Sequence, residues 1–188
     1  MKIHTKIAMV IGLALGLLLA VTPVQGVAAL KEGAKAPDFT LNAAQGGKSF
    51  SLSLKQTLRN GPVVLYFFPA AFTAGCTIEA HLFAEANGRF NQLGARVIGV
   101  TAGNIDRVAE FSRSECRDKF AVAADPGAKV AAKYDTLMEG PDKTPLSDRT
   151  SFVIAPDGTI LLSYTDRKPQ AHIEKTMAAV RAWKAKHG

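Results

Sequence analysis

The chain has 188 residues, 47% hydrophobic and 21% charged, which excludes a disordered segment and gives one domain enough apolar material for a core. Its formal charge of +7 raises nucleic acid as a partner, but the basic residues are scattered. The densest group, Lys175, Arg181, Lys184 and Lys186, falls on the last predicted helix as a solvated face; no basic run with interleaved aromatics and no zinc spacing accompanies it, so no nucleic-acid role is expected.

In chain order, Lys2 and Lys6 precede an unbroken apolar run from Ile7 to Val21, then Pro23 and small residues around Gly26, Ala28 and Ala29. That order is expected of a secretory signal peptide over residues 1–28, cut near 26–29. An uncleaved anchor is the alternative, but the run falls short of the ~20 residues that span a bilayer. No cysteine sits at the exit, so a lipoprotein-type anchor is not suggested. Cleavage would remove Lys2 and Lys6 and no acid, leaving +5 on an exported chain of residues 29–188, expected in a bacterial periplasm without stable membrane association.

In the mature part, "PDFTLNAAQGGKSFSLS" (37–53) predicts a β-hairpin turning at Gly-Gly. Val63 to Phe68 is a continuous apolar run, the pattern of a strand buried on both faces. From Cys76 to about Leu93 the period becomes helical, with Ile78, Leu82, Phe83, Ala86 and Phe90 expected inward. "ARVIGVTA" predicts a second buried strand, followed by a helix from Asn104 with Val108 and Phe111 inward and Cys116 at its close. "FAVAAD" is a short third strand, "GAKVAAKYD" a short helix, and 135–148 a loop that covers a site or merely connects. "TSFVIAPDGTILLSYT" predicts a hairpin at Pro156-Asp157-Gly158, and the last helix turns Ile173, Met177, Val180 and Trp183 to one side. Strands alternating with helices, then a hairpin and a closing helix, imply an α/β thioredoxin-like fold: a central mixed sheet flanked by helices, with an N-terminal hairpin.

That arrangement puts Cys76 in the first turn of a helix at the carboxyl edge of the sheet. Unpaired N–H groups and the helix dipole there favour a thiolate by about 1 kcal/mol. A free thiol is only a few per cent ionised at neutral pH, so a nearby cation must add more. Pro69 ends the strand without an N–H, Thr73 offers a hydroxyl to a small oxygen-bearing substrate, and Gly75 lets backbone approach closely. A buried, inert cysteine is the bland alternative.

The run Pro69-Ala-Ala-Phe-Thr73-Ala-Gly-Cys76 matches the P-x-x-x-T-x-x-C signature of peroxiredoxins, and "KAPDFTL" and "DRTSFVIAPDG" resemble the family's flanking segments. The likeness covers about residues 32 to 186 and is strongest to the Q-type, bacterioferritin-comigratory branch. It implies a thiol peroxidase acting on hydrogen peroxide and organic hydroperoxides, with Cys76 as the nucleophile that becomes a sulfenic acid. It further implies that Arg149 stabilises the thiolate and orients peroxide, that Thr73 binds the peroxide oxygens and that Pro69 shields the site. No metal or organic cofactor is implied; a thioredoxin-like protein or small thiol is the expected reductant and a monomer the expected state. Arg149 could instead be a surface residue after a loop. Glu79 could hold Arg149 or Thr73, or simply favour the first helical turn.

Many Q-type relatives carry a second cysteine five residues after the first; here His81 stands there, which excludes that disulfide and reads as an ordinary surface histidine. Cys116 is the remaining thiol. A structural bridge to Cys76 would close about forty residues and contribute roughly 4 kcal/mol. However, one cysteine opens a helix and the other closes the next, ~19 Å along its axis, against the ~7 Å that a disulfide allows between Cα atoms. Cys116 is therefore expected as a resolving cysteine reached by local unwinding, or the enzyme uses one cysteine and an external thiol. A thioredoxin-like disulfide oxidoreductase would want C-x-x-C, and position 79 is glutamate. A copper module would want close-set cysteines, and a non-catalytic binding module leaves Pro69, Thr73 and Arg149 unexplained.

Overall fold

The structure, a computed structural model, describes residues 29–188; the expected leader, 1–28, lies outside them. Its strands are β1 (Thr40–Gln45), β2 (Lys48–Ser53), β3 (Val63–Ala70), β4 (Arg96–Gly103), β5 (Ala121–Ala124), β6 (Leu137–Glu139), β7 (Pro145–Ser147), β8 (Thr150–Ile154) and β9 (Ile160–Thr165). Its helices are α1 (Leu54–Leu58), α2 (Ala74–Gln92), α3 (Val108–Ser114), α4 (Lys129–Lys133) and α5 (Gln170–His187). Seven strands form one mixed sheet in the order β2-β1-β5-β4-β3-β8-β9, with β3, β4 and β5 parallel. The thioredoxin-like expectation holds, including the β1–β2 hairpin, which joins the sheet antiparallel to β5.

β3 organises the rest because both of its faces are dry. Val64, Tyr66 and Phe68 point into a core under α2, α3 and α5, whereas Val63, Leu65 and Phe67 point into a second core under α1 and α4. All six are fully buried, as the unbroken apolar run requires. Stacked rings tie the first core together: Tyr66 lies 4.5 Å from Phe83 and 5.3 Å from Phe68, centroid to centroid.

Three local expectations are corrected. Ile78 is exposed and Leu82 only half-buried; the inward stripe of α2 runs through Cys76, Glu79, Ala80, Phe83, Asn87 and Phe90. The apolar count placed that stripe wrongly because two of its members are polar. The helix expected from Asn104 to Cys116 is broken up: a 3₁₀ turn covers Ile105–Arg107, α3 stops at Ser114, and Cys116 lies in the turn beyond it. Arg117 and Asp118 then take left-handed φ of 52° and 62°, which no regular helix accommodates. Finally, the 135–148 loop contains a small hairpin of β6 and β7.

Candidate active site

The carboxyl end of β3 is held open as a rigid bend. Pro69 and Ala70 finish the strand, Phe72 takes φ +64°, and Thr73 caps α2 in extended geometry. Asn104 donates from its amide to the Ala71 carbonyl at 2.7 Å, and the Ala71 N–H bonds the Gly103 carbonyl. Gly103 is required here, since a Cβ would meet Ala70 Cβ at 2.5 Å and the Pro69 oxygen at 2.8 Å. Cys76 follows as the third residue of α2, 1% exposed.

Arg149 arrives from across the sheet. β8 runs antiparallel to β3 with Thr150 opposite Phe67, so the residue before β8 emerges at the edge where α2 begins. Its backbone is pinned nearby: Ser147 Oγ donates to the Phe68 carbonyl at 2.9 Å, and the Asp148 N–H bonds the Thr136 carbonyl. The guanidinium places Nη2 3.5 Å from Cys76 Sγ and donates through Nη1 to Glu79 Oε2. Arg149 is 7% exposed, so it is not a surface arginine. Gly75 gives it room, because a Cβ there would come within 3.0 Å of Nη2.

Glu79 is fully buried, which pushes its carboxyl up to about 8 against the opposing pull of Arg149. Burial also opposes the Arg149 charge, but Glu79 and Cys76 more than offset it and the guanidinium stays protonated. Thr73 is exposed, and its Oγ1 donates to the Ala70 carbonyl at 3.1 Å, leaving the oxygen's lone pairs as acceptors. Pro69 is half-buried beside it. Cys76, Glu79, Arg149, Thr73 and Pro69 are thus gathered at one edge.

Cys116 forms no disulfide with Cys76. It is a free, fully buried thiol, its N–H bonded to the Phe111 carbonyl, and burial followed by Glu115 pushes its pKa well above the ordinary thiol value, holding it protonated. His81 is more than a surface residue: its Nε2 lies 2.9 Å from Glu115 Oε2, joining α2 to the turn that carries Cys116. Three residues had no prominence in the sequence. Ser151, His172 and Tyr66 are all fully buried polar groups in or behind this site. His172 shares a face of α5 with Ile173, Thr176, Met177 and Val180, so the helical period could have found it.

A family model described as the AhpC/TSA family matches residues 33–163. The chain belongs to this family. It is 33% identical over 156 residues to a chloroplastic peroxiredoxin Q of Arabidopsis thaliana, spanning 82% of this chain and 69% of that one. A chloroplastic peroxiredoxin Q of Suaeda salsa is 32% identical over 152 residues, 80% of this chain and 68% of that one. Among solved structures, the peroxidoxin BcpB of Mycobacterium tuberculosis superposes with a TM-score of 0.72 at 30% identity, covering 81% of this chain and 97% of the other. The chain is therefore a peroxiredoxin of the Q type, a thiol-dependent peroxidase. Among the described residues of this peroxiredoxin no cluster of three or more His, Cys, Asp or Glu is arranged to hold a metal, and no helix is long and apolar enough to cross a membrane.

Proposed function

We propose that this peroxiredoxin reduces hydrogen peroxide and organic hydroperoxides through Cys76. The observation that carries the reading is the Arg149 guanidinium 3.5 Å from Cys76 Sγ, inside the first turn of α2. The thiolate attacks the terminal peroxide oxygen, the O–O bond breaks, and the leaving oxygen departs as water or an alcohol after taking a proton. Cys76 is left as a sulfenic acid. Arg149 offers a fixed positive charge to thiolate and peroxide, a preorganised donor of the kind that contributes most to such steps. Thr73 accepts a hydrogen bond from the peroxide, and Pro69 walls the sulfur without an N–H of its own. Glu79 orients Arg149.

Cys116 resolves the sulfenic acid by forming an intramolecular disulfide with loss of water. Its burial and raised pKa keep it a protonated, unreactive thiol in the closed fold. Resolution therefore needs the 115–118 turn to open, which the two left-handed residues after Cys116 favour. A thioredoxin-like protein or a small thiol then reduces the disulfide. The enzyme acts as a monomer after residues 1–28 are removed on export, in the bacterial periplasm.

Intact mass and free-thiol count after one equivalent of peroxide test this, beside Cys76→Ser and Cys116→Ser. The expected result is loss of both thiols with a decrease of about 2 Da, absent in either variant. If Cys116→Ser turns over undiminished with a thioredoxin-like reductant, Cys116 is not the resolving thiol and the enzyme uses one cysteine. Thiols oxidised no faster than free cysteine would overturn the peroxidase reading.

A further inference from the structure

Behind Arg149 stands a second ionisable group that the peroxidase reading does not use. His172, on α5, is fully buried. Its Nε2 lies 2.8 Å from the Asp166 carbonyl, which can only accept, so Nε2 carries the hydrogen of the neutral ring. Nδ1 then accepts from Ser151 Oγ at 2.8 Å. The same Nδ1 is 3.8 Å from Glu79 Oε1, the oxygen that Arg149 does not engage and that has no hydrogen-bond partner among the described residues.

The charges in this pocket do not balance by themselves. Cys76 and Glu79 are two potential anions facing one permanent cation, Arg149, and all three side chains are withdrawn from water. A thiolate beside an ionised Glu79 would leave one buried negative charge uncompensated, which is costly. One proton kept on Glu79 Oε1 or His172 Nδ1 removes that excess. We infer that His172 is a positioning residue for Cys76: it helps to hold one proton on the Glu79–His172 pair, so that the Arg149 charge is left to the sulfur when the thiol ionises. In that step the S–H bond breaks, sulfur keeps the electron pair and the thiol proton passes to solvent, while the pair keeps the proton it already holds. The pocket goes from one net positive charge to none.

The other groups facing His172 are compatible with this role. Asp148 and Arg149 face it from the turn before β8, with opposite signs, and Asp166 from the turn after β9. From β9 the Tyr164 ring meets the imidazole edge-on at 4.9 Å, with Lys175 of α5 on that ring. Burial, the largest influence, holds the free imidazole below its ordinary value, so it serves as the acceptor of a shared proton rather than as a standing cation.

The inference rests on Cys76 being the reactive thiolate, and the test separates the two. Iodoacetamide alkylation of Cys76 is followed from pH 5 to pH 10 in a Cys116→Ser background, with His172→Gln and Ser151→Ala added singly. Glutamine keeps a donor for the Asp166 carbonyl but has no basic nitrogen. His172→Gln is expected to move the profile up by about one pH unit, about tenfold slower alkylation near neutrality, with the same alkaline plateau. Ser151→Ala frees Nδ1 to take the proton and moves the profile the other way. This opposite shift remains a test if the glutamine variant fails to fold. An unmoved midpoint, a lowered plateau alone, or shifts of the same sign would overturn the inference while the peroxidase reading stands. A parent Cys76 that alkylates no faster than free cysteine would overturn both.

Discussion

Arg149 serves two partners with one side chain, and that is why lysine cannot replace it. The planar fork reaches Glu79 through Nη1 and Cys76 through Nη2, whereas an ammonium is a single point of charge. Arg149→Lys is expected to slow Cys76 oxidation by about a hundredfold while leaving the fold intact, as a competition assay against a peroxidase of known rate would measure. Cys76, Pro69 and Thr73 stood out as residues, because a proline that ends a strand and a cysteine that opens a helix leave marks in the linear pattern; Arg149 was pointed to by the family resemblance alone. Glu79 was ambiguous, since an acid suits any first helical turn. Its complete burial is what gives it a partner, and burial depends on α5, which lies far away in sequence.

At the scale of elements, α2 meets the turn after α3, the segment that the proposed resolution by Cys116 requires to open. The His81–Glu115 pair spans that contact at 2.9 Å with both side chains partly open to solvent. Such pairs are worth about 0.2–1 kcal/mol, so His81→Ala should raise the opening of the turn up to about fivefold. The corresponding measurement is the rate of Cys116 loss after Cys76 has been converted to its sulfenic acid; an unchanged rate would mean that this pair does not restrain the turn. Periodicity found the existence and type of every long helix and the main strands. It misplaced the inward face of α2 because Glu79 and Asn87 are polar members of a buried stripe, and it overran α3 because the left-handed residues at 117 and 118 carry no glycine to announce them.

Across the whole molecule, two cores on opposite faces of one strand make the active edge a rigid product of the fold, while its buried ionisable groups make stability depend on pH. Glu79 binds its proton up to about pH 8 when folded and up to about 4.5 when unfolded, so the folded chain holds more protons between these values and stability falls as pH rises through them. His172 acts with the opposite sign: its folded value lies below 6.5, so its contribution is complete above that pH and is lost as pH falls through it. Between pH 6.5 and about 8 the slope therefore comes from Glu79. Urea midpoints should decline over this window in the parent protein and flatten in Glu79→Gln; equal slopes would mean that Glu79 is ionised throughout. The sequence by itself determined the architecture and singled out Cys76 as the candidate nucleophile, since apolar period, turn chemistry and a helix start are local properties. Only the tertiary structure decided which buried partners Cys76 has, because Arg149, Glu79 and His172 lie on three different elements and meet where the sheet edge and two helices exclude water. Sequence spacing carries no record of that exclusion, and it is what makes a carboxyl, a guanidinium and an imidazole compete for the same proton and the same sulfur.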